Sequence, residues 1–113
     1  MVRAFLVSFA LFASTILGPA SIAAPEGDAT AGKAVFKGRC QTCHGANGEG
    51  NAALGKALGA QIPPMSSDEV QGKSDDQIKK VITEGKGKMM PLKGLHDEDL
   101  ANVIAFVRSF KKK

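Results

Sequence analysis

The spacing of apolar and polar positions along the chain predicts helices and no strands. The clearest stretch is HDEDLANVIAFVRSFKKK. There Leu100, Val103, Ile104, Val107 and Phe110 recur at helical intervals, and Phe106 widens the stripe. Acids gather at its start and basic residues at its end, both favourable to the helix dipole. KSDDQIKKVITEGKG carries a shorter stripe of Ile78, Val81 and Ile82. Ser74 with Gln77 predicts a capping box, Asp75 and Asp76 suit the positive helix start, and Gly85 reads as the residue just past the end. Ser66 with Glu69 predicts a further capped turn. Upstream, EGDATAGKAVFKGRC predicts a helix capped by Asp28 or Thr30 that runs toward Cys40 and loosens at Gly38. HGANGEGNAALGKALGA is a glycine- and asparagine-rich loop with a short apolar tail, Leu54 to Leu58. Pro63 and Pro64 make QIPPM a turn, and KGKMMPLKGL reads as irregular. No segment alternates with period two, and there is no internal repeat. The expected class is all-α: three to five helices joined by long loops.

The first residues follow another pattern. Arg3 precedes an apolar run from Ala4 to Leu17, interrupted only by Ser8, Ser14 and Thr15. Gly18 and Pro19 end the run, and small residues follow. That is the order of a secretory signal peptide, with cleavage expected after Ala23. A spanning helix wants about 20 apolar residues, and this run stops short of that. No cysteine lies at the cut to take a lipid anchor. The expected organisation is a signal peptide over 1–23 and one domain over 24–113. The domain is expected to be exported to a bacterial periplasm, with a lumen or the extracellular space as alternative destinations. No stable membrane insertion is expected once it is processed.

Composition narrows the partners. The 113 residues carry 15 Lys+Arg against 11 Asp+Glu, a net charge of +4 that loss of Arg3 lowers. The lysines are interleaved with acids, and there is no Tyr or Trp for base stacking. Nucleic acid is therefore not an expected partner. A domain this small has a marginal core and usually needs a staple. Without Trp, something other than side chains is expected to fill its centre.

The candidate staple is CQTCH, residues 40–44, which holds the only two cysteines and one of the two histidines. A structural zinc site needs four ligands, and only His96 remains to complete one. A Cys-x-x-Cys redox pair suits an oxidising compartment but belongs at a helix start after a strand, in a βαβ setting that this chain lacks. Covalent haem explains all three residues. The thiols of Cys40 and Cys43 add across the two vinyl groups of the porphyrin, and His44 is directed at one face of the iron. An electron carrier also needs a ligand on the other face, and His with Met raises the reduction potential. The Met must come from a separate segment. EGKGKMMPLKGL, with Met89 and Met90, is that segment.

At this point the chain resembles the short class I mono-haem cytochromes c. The resemblance runs through AGKAVFKGRCQTCHGANGEG, LGKALG, SDDQIKKVITEGKGKM and LHDEDLANVIAFVRSF. It implies a cytochrome c fold wrapped around one covalently bound haem c. Cys40 and Cys43 would be the attachment points, and His44 and a methionine the axial ligands. Gly32 and Phe36 match positions that, in the family, pack the first helix on the last, against Val103 and Phe106. A gapless match over Gly85-Lys86-Gly87-Lys88 makes the ligand Met89, whereas a match on the Met-Pro pair makes it Met90; the glycine spacing favours Met89. Many relatives carry a proline soon after the histidine, near the carbonyl that accepts from the imidazole N–H. Here the first is Pro63, so that acceptor is unassigned.

The implied function is single-electron transfer between redox complexes, as a monomer and not as an enzyme. The alternative is a haem-based sensor or a peroxidase-like enzyme with an open iron position. His96 is expected as an exposed cap residue, Met65 in packing, and Lys86, Lys88 and Lys93 either as a docking patch for an acidic partner or as a solvated face.

Overall fold

The computed structural model describes residues 27–113 and, before them, only Ser14 and Gly18. The expected signal peptide and its cleavage after Ala23 thus fall outside the described part. The described chain is all-α. Its elements are α1 (Ala29–Arg39), α2 (Gln41–His44), α3 (Ala52–Leu58), α4 (Asp68–Gln71), α5 (Asp75–Glu84) and α6 (Asp97–Arg108). Helices α2 and α4 are single turns of 4 residues, which leaves four of ordinary length. Among the described residues there is no β-sheet, only one isolated bridge between Lys86 and Met89.

Helices α1 and α6 form the frame. The Asp28 carboxylate starts α1 by accepting from the N–H of Thr30 at 2.8 Å and of Ala31 at 3.4 Å. The helix continues through Gly38 and breaks only at Cys40. Its buried face is Gly32 and Phe36. A Cβ on Gly32 would lie 1.8 Å from the Asn102 carbonyl oxygen, so only glycine lets the two backbones approach this closely. Phe36 then meets Phe106 edge to face, with ring centroids 5.2 Å apart, and Phe110 lies 5.8 Å away. The buried Asn102 side chain closes the frame by accepting from the Asp28 N–H at 2.8 Å.

Helix α5 begins with the expected capping box. Ser74 Oγ accepts from the Gln77 N–H at 3.1 Å, and Gln77 Oε1 accepts from the Ser74 N–H at 2.8 Å. The turn before it differs from expectation by one residue. Ser67, not Ser66, caps α4 by accepting from the Val70 N–H at 3.4 Å. Ser66 and Ser67 are both plausible caps in a bare sequence; the turn that follows Pro64 decides between them, with the Ser67 N–H donating to the Pro64 carbonyl at 3.0 Å.

Among the described residues the core holds eight buried apolar side chains: Phe36 and Met65, Ile78 and Ile82 of α5, and Leu100, Val103, Ile104 and Val107 of α6. Each contributes about 2 kcal/mol. Arg108 fastens α6 to the start of α5. It donates to Asp75 Oδ1 at 2.8 Å and to the Gln71 carbonyl at 3.1 Å, and it also reaches the Lys73 carbonyl. Among the described residues no helix is long and apolar enough to cross a membrane.

Candidate functional site

The CQTCH segment forms the single turn α2 at the end of α1. The N–H groups of Cys43 and His44 both donate to the Cys40 carbonyl, at 3.2 and 2.9 Å. This turn presents the two thiols, three positions apart, on one side of the chain. The glycine-rich loop folds back to hold it. The Gly50 N–H donates to the His44 carbonyl at 2.7 Å, and the Asn51 N–H to the Cys43 carbonyl at 3.0 Å. Asn51 also caps α3, accepting from the Leu54 N–H at 3.0 Å. No disulfide joins Cys40 to Cys43.

The methionine segment is more ordered than its sequence suggests. The N–H and carbonyl of Lys86 bond to the carbonyl and N–H of Met89, at 3.0 and 2.9 Å, around the turn Gly87-Lys88. Gly85 leads into this hairpin with φ +77, and a Cβ there would lie 2.6 Å from the Met89 carbonyl oxygen. The Leu92 N–H then returns the chain to α5, donating to the Ile82 carbonyl at 2.9 Å.

These two segments line one cavity of about 810 Å³. Cys40, Cys43, His44, Met89 and Met90 all contribute to it, although 45 residues separate His44 from Met89. Met89 is half-buried and packs against the core, whereas Met90 is 78% exposed. Met65 is buried and lines the cavity as well. Leu54, Leu58 and Ile62 form another part of the wall. In the sequence Leu54 and Leu58 are the apolar tail of a glycine-rich loop and part of the LGKALG stretch of the resemblance, and neither signal places them on a cavity wall. His96 takes no part. It is exposed at the start of α6, where its N–H donates to the Asp99 carboxylate at 3.1 Å.

The electrostatics follow from burial. Desolvation pushes the Cys40 thiol up to about 11, with the Arg39 charge opposing it and Cys43 adding to it. Burial lowers the His44 pKa below its ordinary 6.5, which keeps the imidazole neutral and able to ligate a metal. His44 Nδ1 is buried, and among the described residues it has no hydrogen-bond partner, so the acceptor stays unassigned. Among the described residues no group of three or more His, Cys, Asp and Glu is placed to hold a metal ion. A large apolar-walled cavity with two cysteine sulfurs, an imidazole and three thioethers on its walls fits a porphyrin that brings its own iron. The Cys40–Cys43 spacing, followed by His44, matches the haem c attachment motif, and the chain carries one covalently bound haem c.

Comparison with known proteins agrees. The family model of cytochrome c oxidase, cbb3-type, subunit III matches residues 27–107. Cytochrome c-555 of Methylococcus capsulatus is 35% identical over 86 residues, which cover 70% of this chain and 61% of that protein. Cytochrome c-554(547) of Halothiobacillus neapolitanus is 31% identical over 93 residues, 75% of this chain and 99% of that protein. The cbb3-type cytochrome c oxidase subunit CcoP of Azospirillum brasilense is 30% identical over 80 residues, but the chain spans only 27% of its length. Among solved structures, the KustC0563 c-type cytochrome superposes with a TM-score of 0.61 at 37% identity, covering 72% of this chain and 98% of that one. The chain belongs to the c-type cytochromes, a class whose members generally carry electrons, as a domain of the family that bears the name of the cbb3-type oxidase subunit III.

Proposed function

We propose that this protein is a single-electron shuttle whose haem is held by Cys40 and Cys43 and ligated by His44 and Met89. One observation carries the reading: the CQTCH turn and the Met89 hairpin, distant in sequence, line the same cavity. When bound, the iron supplies a one-electron couple. The two thiols fix the porphyrin to α1 and α2, and a neutral His44 donates its lone pair. The soft sulfur of Met89 favours reduced iron over oxidised and so raises the potential. A half-buried Met89 beside a largely exposed Met90 supports Met89 as the ligand. Two retained ligands leave little reorganisation on electron transfer.

The domain over 24–113 would act in the periplasm, released by cleavage after Ala23, as a monomer between redox complexes. The likeness to an oxidase subunit supports a terminal oxidase as acceptor. Arg39, Lys73, Lys86 and Lys88 line the cavity against a single acid, Glu69, which supports a partner with an acidic face. Lys93, which the sequence left as either part of a docking patch or of a solvated face, turns its ammonium to the Thr83 carbonyl at 3.4 Å.

Spectra of two variants test the ligand. Met89→Ala should abolish the weak Fe–S band near the red end of the oxidised spectrum, and Met90→Ala should spare it; the reverse result reassigns the ligand. The reduced wild type should not take up carbon monoxide at neutral pH. Ready uptake would mean an open iron position and would turn the reading toward a sensor or peroxidase-like protein.

A further inference from the structure

Arg39 is the last residue of α1 and stands directly before Cys40. Its Nη2 donates to the backbone carbonyl of Lys93 at 3.0 Å, across 54 residues of sequence. Among the described residues this is the one hydrogen bond joining the segment that carries the cysteines and His44 to the loop that carries Met89. The other ties of that loop go elsewhere. The Lys86–Met89 pair closes on itself, while the Leu92 N–H and the Lys93 ammonium both reach carbonyls of α5, Ile82 and Thr83. The hairpin is thus anchored to α5 and linked to the CQTCH segment through one guanidinium.

We propose that Arg39 is a positioning residue: it holds the 85–95 loop against the cysteine segment and so keeps Met89 in place as a ligand. This rests on the Met89 reading above. The residue type suits the task. Attachment through Cys40 fixes the backbone next to it, and the guanidinium offers a planar array of donors on a long stem, always charged. The acceptor is a backbone carbonyl, so the link depends on the path of the loop and not on the side chain at 93.

Imidazole titration of the oxidised, matured holoprotein tests the proposal, since imidazole binds only by displacing the methionine sulfur. Arg39→Ala should bind imidazole roughly five- to tenfold more tightly, the cost of one charge-assisted hydrogen bond, with the Fe–S band fading in step. Lys37→Ala removes a charge from the same helix turn and should stay within about twofold of wild type. An unchanged affinity in Arg39→Ala, or an equal rise in Lys37→Ala, would overturn the proposal. Met89→Ala separates the two readings. If it binds imidazole no more tightly than wild type, the ligand assignment fails and this proposal with it. If it binds more tightly while Arg39→Ala does not, only the role of Arg39 fails. Hydrogen exchange provides a second measurement: Arg39→Ala should speed exchange over residues 86–95 and leave α6 unchanged, and equal protection of the loop in both proteins would overturn it.

Discussion

Gly32 and Gly38 lie on the same helix and answer to opposite rules. Gly32 is where α1 touches α6, and a methyl group there would meet the Asn102 carbonyl at 1.8 Å. Gly32→Ala should cost about 3 kcal/mol or more, because two backbones would have to separate. Gly38 has nothing within 4 Å of where its Cβ would be. Gly38→Ala should therefore stabilise the protein by about 0.5–1 kcal/mol through helix propensity and a less flexible unfolded chain. Denaturant midpoints of the two holoproteins check both signs. The composition does not distinguish these glycines. The resemblance singled out Gly32, and the contact with Asn102 supplies its physical reason.

Helices α4 and α5 show what a short segment needs to stay in place. Helix α5 has its own capping box and an apolar stripe, so its start was legible in the sequence. Helix α4 is one turn with no buried residue and depends on its neighbours. Gln71, its last residue, donates to the carbonyls of Met65 at 2.7 Å and Val107 at 2.9 Å. Arg108 binds the same stretch from α6. Arg108→Ala should lower stability by about 2 kcal/mol, since it leaves part-buried carbonyls without a donor. Hydrogen exchange should show faster opening around residues 71–75, with α1 unaffected. No sequence pattern announces this link, because an arginine late in a helix is equally explained by the helix dipole.

The molecule as a whole is built around a space. Five of the buried apolar side chains, Phe36, Met65, Ile78, Ile82 and Val107, line a cavity of about 810 Å³ and do not fill it. A core with such a void loses dispersion contacts along its whole lining. The haem therefore belongs to the fold as much as to the function. The double variant Cys40→Ser/Cys43→Ser, produced without attached haem, should lose cooperative thermal unfolding while keeping part of its helical signal. Circular dichroism melts against the wild-type holoprotein measure this, and a cooperative melt near the wild-type midpoint would show that the side chains suffice by themselves.

The amino-acid order alone determined what is local or covalent. Helical period gave α5 and α6, Ser74 and Gln77 gave a cap, and the Cys40-x-x-Cys43-His44 spacing gave the cofactor. Each of these is written within a few consecutive turns. Tertiary structure alone decided how Met89 and Met90 differ in burial, that Leu54 and Ile62 wall the cavity, and that Arg39 reaches Lys93. Those outcomes depend on where segments tens of residues apart come to rest. That placement follows from the packing of α1 on α6 and the return of the 85–95 loop to α5, which local pattern does not encode.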